Sequence, residues 1–185
     1  MSDQQDYRKL EMDLVAMLAK GFPGLTVEVA HSKRWNRPCV TFRWKGFAGL
    51  LPEERFQRLV AVIPESFRAD RLQGCVWLEL APGESVDEFL KCPRSEDIES
   101  RASDVYRGLE RRGFFDALRK SLGKTPKRSC KGDFSHTRKV LSSQKVSDRA
   151  VQDARLLFIR HGAYCDCQVV AGVEPALKEQ YAGAA

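Results

Sequence analysis

The stretch LTVEVAHSKRWNRPCVTFRW, residues 25–44, decides how the first half of the chain folds. Leu25, Val27 and Val29 alternate with polar residues, the period of a strand with one face buried and the other wet. Residues 39–44 (CVTFRW) are a second such run, rich in β-branched and aromatic side chains that fit a pleated surface. Ser32 to Pro38 reads as a polar connection, so the two runs predict an antiparallel pair.

Working outward, Leu10, Leu14, Met17 and Leu18 fall at helical spacing within residues 7–19. Gly21, Pro23 and Gly24 end that helix. On the other side, Pro52 followed by Glu53 and Glu54 opens a helix with the residues its N-terminus favours. Phe56, Leu59, Val60 and Ile63 give that helix an apolar face. Residues 75–80 (CVWLEL) predict a third strand, and residues 85–90 a short helix after Gly83. The order α-β-β-α-β predicts a three-stranded sheet with helices on one face, spanning residues 1–91.

Residues 92–103 (CPRSEDIESRAS) are polar and read as a linker. Residues 104–180 predict a mostly helical second domain. Its helices are expected over 104–122, 136–142 and 148–160, the last capped by Ser147 and stopped by Gly162. Residues 123–133 form a basic loop, Tyr164 to Val170 reads as strand-like, and residues 181–185 as a flexible tail. The fold class expected is α+β, in two domains.

Charge supports the division. Residues 1–92 hold 13 Lys/Arg and 13 Asp/Glu, whereas residues 93–185 hold 18 and 12 and so carry the whole net +6. Within the second half, residues 107–145 hold 12 basic and 3 acidic side chains, which marks a surface unlike that of the first half. No apolar run approaches the roughly 18–20 residues that span a bilayer, so no membrane partner is expected. The acidic N-terminus lacks the apolar core of a secretory signal, which places the protein in the cytoplasm.

Six cysteines in a reducing compartment are not expected to form structural disulfides. Cys39 and Cys75 lie in apolar strand-like runs and read as small buried hydrophobes. Cys130, His136, Cys165 and Cys167 read differently. Three thiols and one imidazole are a set that holds structural zinc, because zinc prefers soft and borderline donors. Cys165 and Cys167 would stand too far apart in a fully extended strand, so the chain must bend at Asp166 for both to reach one ion. A domain of this size with a thin core also gains from a staple, and a zinc site supplies on the order of 10 kcal/mol of coupled binding and folding free energy. His161 is the alternative fourth ligand. Packing of the two cysteines, with His136 capping a helix, is the reading without metal.

Residues 130–177 resemble an uncharacterised bacterial domain family of unknown function. Its members share a Cys-x5-His-Thr pattern, then two helices, then Gly-Gly-Tyr/Phe-Cys-Asp-Cys-Glu-Val and Asn-Val-Glu. This chain has Cys130, His136, Thr137, then Gly162-Ala163-Tyr164-Cys165-Asp166-Cys167-Gln168-Val169, and Val173-Glu174. It departs at Ala163, Gln168 and Gly172, and has Gly132 where members often carry a second His. The resemblance groups the potential ligands in one module and implies no activity. Residues 7–90, with Gly46-Phe47-Ala48-Gly49 leading to Arg55, resemble the BolA family, whose fold is KH-like. There the resemblance implies a cluster-binding histidine entering the last strand, a place near Cys75-Val76-Trp77 where this chain has none.

Two places suit a partner. Arg34 and Arg37 flank Trp35, a cation–aromatic group that fits a protein or a nucleic acid. Arg111, Arg112, Lys127 and Arg128 lie in the basic stretch, which would attract a polyanion such as RNA or DNA. The sequence contains no nucleophile elbow, phosphate loop or dinucleotide fingerprint. The expectation is a zinc-binding interaction or regulatory protein rather than an enzyme. Nucleic-acid binding is the alternative. A metal-dependent hydrolase, with Asp166 as base, returns only if His136 leaves a coordination position open.

Overall fold

In a computed structural model, residues 2–181 are described, and the chain divides into two compact units, Met1–Cys92 and Pro93–Ala185. The class is α+β: a three-stranded mixed sheet lies in the first unit and helices build the second.

In the first unit, α1 (Ser2–Leu18) buries Leu10, Leu14 and Leu18, one turn apart on one stripe. β1 (Thr26–Ser32) pairs antiparallel with β2 (Arg37–Arg43), from Thr26 opposite Arg43 to Ser32 opposite Arg37. The connection is therefore shorter than the expected Ser32 to Pro38. Pro38 is tolerated opposite His31 because the third strand joins β2 only from Cys39 onward, so the missing N–H leaves no ladder gap there. Asn36 closes the turn with a left-handed φ of 49°, a conformation its side chain tolerates.

β3 (Val76–Leu80) joins β2 in parallel, giving the order β1-β2-β3. A parallel partner needs a crossover, and α2 (Pro52–Val60) and α3 (Glu65–Arg71) supply it. A single helix from Pro52 to Ile63 was expected. Instead α2 stops at Val60, and the chain restarts as α3 after Pro64.

The main core lies on one face of the sheet, where Val27, Val29, Val40 and Phe42 meet Leu14 and Leu18 of α1 and Leu59 of α2. Helices are not confined to that face. α4 (Val86–Leu90) sets Phe89 against Cys39, Leu78 and Leu80 on the other side. A buried ion pair ties the crossover to this corner. The Arg55 guanidinium donates to the Leu50 and Glu79 carbonyls at 3.0 and 2.6 Å and to both carboxylate oxygens of Glu84.

In the second unit, the expected linker is folded structure. Ser95–Arg101 forms a 3-10 helix that leaves Ile98 fully buried, because this apolar residue among polar neighbours finds a core to enter. The expected helix 104–122 is two, α5 (Ala102–Arg111) and α6 (Phe114–Leu122), divided at Gly113 with φ 61°. α7 (Pro126–Ser129) is a single turn, followed by α8 (Ser135–Ser143) and α9 (Asp148–Arg160). Phe158 of α9 is the hub, with the Phe114, Phe115 and Phe134 rings centred 5.7, 6.4 and 6.1 Å from its own.

The stretch expected as a strand at Tyr164 to Val170 is not one. Cys165 is extended. The chain then turns helical through α10 (Asp166–Gln168) and a π turn at Val169–Val173 into α11 (Glu174–Tyr181). Val169, Val173 and Leu177 are buried at four-residue spacing, a helical stripe. Tyr181, expected in the tail, ends α11 with its ring 5.8 Å from that of Tyr106, while the rest of that tail, 182–185, lies outside the described residues. Among the described residues no helix is long and apolar enough to cross a membrane.

Candidate metal centre

Three sulfurs converge in the second unit. Cys130 follows α7, and Cys165 and Cys167 flank the start of α10. Their Sγ atoms lie within 4.8 Å of one another, with Cys165 and Cys167 at 3.4 Å. That spacing suits one ion: about 2.3 Å from a tetrahedral zinc to each sulfur sets the sulfurs about 3.8 Å apart. The bend at Asp166 supplies the approach, since Cys165 has φ −156° and the next residue is already helical. All three cysteines are half-buried free thiols.

The electrostatics are those of an uncompensated cluster. Burial pushes the Cys165 thiol up to about 12, and the neighbouring Cys167 and Cys130 add to the rise. Burial also raises Cys167. At Cys130 burial opposes ionisation, but the backbone N–H groups of Cys167 and Gly132 and the two neighbouring thiols donate to its sulfur and lower it below the ordinary thiol value. One thiolate is thus supported and two are suppressed, until a cation arrives to hold all three.

Asp166 is fully buried and acts as a clamp. Its carboxylate accepts the backbone N–H of His136 at 2.7 Å and of Thr137 at 2.9 Å, and its own N–H donates to the Asp133 carbonyl at 3.0 Å. It thereby caps α8 from a distance and fixes the turn that presents the two cysteines. The sequence held a sign of this. The residue before Ser135 is Phe134, which has no capping side chain; Asp133 takes the Ser135 amide at 2.9 Å, and the next two amides go to Asp166.

His136 does not join the sulfurs. Its Nε2 lies 3.2 Å from the Ser129 carbonyl, which can only accept, so Nε2 carries the proton and Nδ1 accepts from the Ser121 hydroxyl at 2.8 Å. Both nitrogens are engaged, and the ring braces the loop to α6. His161 also stands outside the cluster. It lines a separate cavity of about 290 Å³ with Gly162, Ala163 and Gln168, and burial, followed by the nearby Arg160, lowers its pKa.

The predicted partner sites come out unevenly. Trp35 folds back half-buried against the second-face cluster of the sheet. The Arg34 guanidinium sits 5.4 Å from its ring centre and pairs with Asp87 at 2.7 Å. That hydrogen bond holds the Asp87 carboxyl below its ordinary range. Arg37 is exposed at the start of β2. Arg111 and Arg112 stand exposed before α6, and Lys127 and Arg128 exposed after it. α6, nine residues and about 13 Å long, lies between the two pairs along the chain. Within α6 itself, Arg119 is taken up by Asp116 and Glu174.

Cys39 and Cys75 in the first unit both have raised pKa values, caused first by burial, as inert packed thiols do. No family model matches this chain, and no curated protein or solved structure does.

Proposed function

We propose that Cys130, Cys165 and Cys167 hold one structural zinc ion, and that the protein is a cytoplasmic interaction or regulatory module whose basic loop this ion fixes. The convergence of the three sulfurs within 4.8 Å carries the reading. It ties Cys165 and Cys167 to the loop 123–133, which contributes no buried side chain and so has no core of its own. Lys124, Lys127, Arg128 and Lys131 are all exposed on it, and none makes an ion pair among the described residues. A staple that costs three thiol protons and presents free cations suits recognition of an acidic partner. Zinc is preferred over harder ions because every donor in the set is sulfur. Free thiols suit a reducing compartment.

Thermal unfolding with and without a strong chelator tests the staple. Chelation is expected to lower the transition of the second unit and leave that of the first in place. Unchanged unfolding of a protein shown to have lost its metal contradicts a structural role.

Nucleic acid is the second reading, favoured by the four unpaired loop cations. Anisotropy titration with single-stranded RNA should then weaken steeply with salt, by roughly one power of salt per phosphate contact. The double variant Lys127→Glu, Arg128→Glu should reduce both affinity and slope. Salt-independent or absent binding leaves an acidic protein surface as the partner.

A further inference from the structure

We infer that the fourth coordination position of the ion is open and takes a thiolate from outside the chain, supplied by a low-molecular-weight thiol. This rests on the three-thiolate reading above and concerns the vertex that reading leaves unfilled.

The side chains nearest in sequence are spoken for. His136 donates through Nε2 to the Ser129 carbonyl and accepts through Nδ1 from Ser121. Asp166, between the two cysteines, spends both carboxylate oxygens on the amides of α8. Among the described residues, the group of His, Cys, Asp and Glu side chains close enough to share one ion with these sulfurs is the three cysteines themselves. A tetrahedral ion on three protein ligands keeps one position for an outside donor. Cys130, Cys165 and Cys167 are each only partly buried, so the cluster is not sealed from solvent.

Charge decides what that donor is. A divalent ion on three thiolates is a centre of net charge −1, so it is a weak acid toward bound water compared with a zinc held by neutral imidazoles. Hydroxide formation at neutral pH, which a hydrolase requires, is disfavoured for that reason. A thiol ionises more readily than water and matches the softness of the site. Its proton goes to solvent as the fourth metal–sulfur bond forms. The resulting −2 charge is offset by Lys127, Arg128 and Lys131, all exposed and all within three residues of Cys130.

The test replaces zinc by cobalt(II) in the full-length protein and follows the thiolate-to-cobalt charge-transfer band during titration with 2-mercaptoethanol. Ethylene glycol, its alcohol counterpart, serves as control, and cobalt content is measured after desalting. A saturable intensification with the thiol alone is expected, with cobalt retained, and the same response in His136→Ala. An unresponsive spectrum at saturating thiol, or a response that appears only in His136→Ala, overturns the open position. Loss of cobalt to the thiol overturns the proposal equally. Failure of the folded protein to take up cobalt at all overturns the three-thiolate reading itself, a separate result.

Discussion

Asp166 is the residue on which the site turns. Asp166→Ala strands one buried and one partly buried amide at the start of α8 and releases the turn between the cysteines. A loss of about 2–3 kcal/mol is expected in urea unfolding, together with weakened metal retention. Asp166→Asn keeps one acceptor and should lose less. Equal stability of Asp166→Ala and wild type would remove the clamp. The thiols give a pH signature in the metal-free protein. Cys165 titrates at about 12 in the folded state against 9.0 for an ordinary thiol. The folded state thus holds this proton more tightly. Its contribution to stability is complete below 9 and fades as pH climbs from 9 toward 12. Cys167 shifts in the same direction and Cys130 in the other. Unfolding midpoints at about pH 8 and about pH 10.5 should therefore show a smaller drop in Cys165→Ser than in wild type, and a drop of equal size contradicts the assignment. The three sulfurs were legible from residue type and spacing. The place of His136 was not, because its partners, Ser121 and the Ser129 carbonyl, are set by how α6 and the loop pack.

Elements were legible wherever one period ruled. Leu10, Leu14 and Leu18 announce α1, and the alternation around Val27 and Val29 announces β1. Reading failed where two periods overlapped. Cys165, Cys167 and Val169 alternate with Asp166 and Gln168 as a strand would, yet Val169, Val173 and Leu177 carry the helical stripe that wins. Gly113 divides one expected helix, and the helix expected to run to Ile63 stops at Val60, short of Pro64 and of a second helix, α3, that was not expected. At Gly113, φ of 61° is a conformation that costs an L-residue about 1–2 kcal/mol. Gly113→Ala should destabilise by that amount in chemical unfolding, and a neutral result would mean that the α5–α6 turn is not held. The Arg55–Glu84 pair is a stronger constraint. Arg55→Met removes the guanidinium from two carbonyls and from the mostly buried Glu84 carboxylate, which keeps the Ala81 N–H, a loss of about 3–5 kcal/mol, and Arg55→Lys cannot restore the forked contact. Unfolding of the two variants beside wild type checks this, and full rescue by lysine would contradict it.

At the scale of the molecule, the division between Cys92 and Pro93 separates a unit that carries its own apolar core from one that also holds the sulfur cluster. The change in charge balance near residue 92 marked that division in the sequence, while Ile98 concealed that the polar stretch beyond it is folded. The proposed role of the second unit depends on its carrying a metal. Elemental analysis of the protein purified without an affinity tag, beside Cys165→Ser and His136→Ala, tests it directly. About one zinc per chain is predicted in wild type and in His136→Ala, with loss in Cys165→Ser. A well-folded wild type free of metal would contradict the claim, and the three sulfurs would then be a packing or redox cluster.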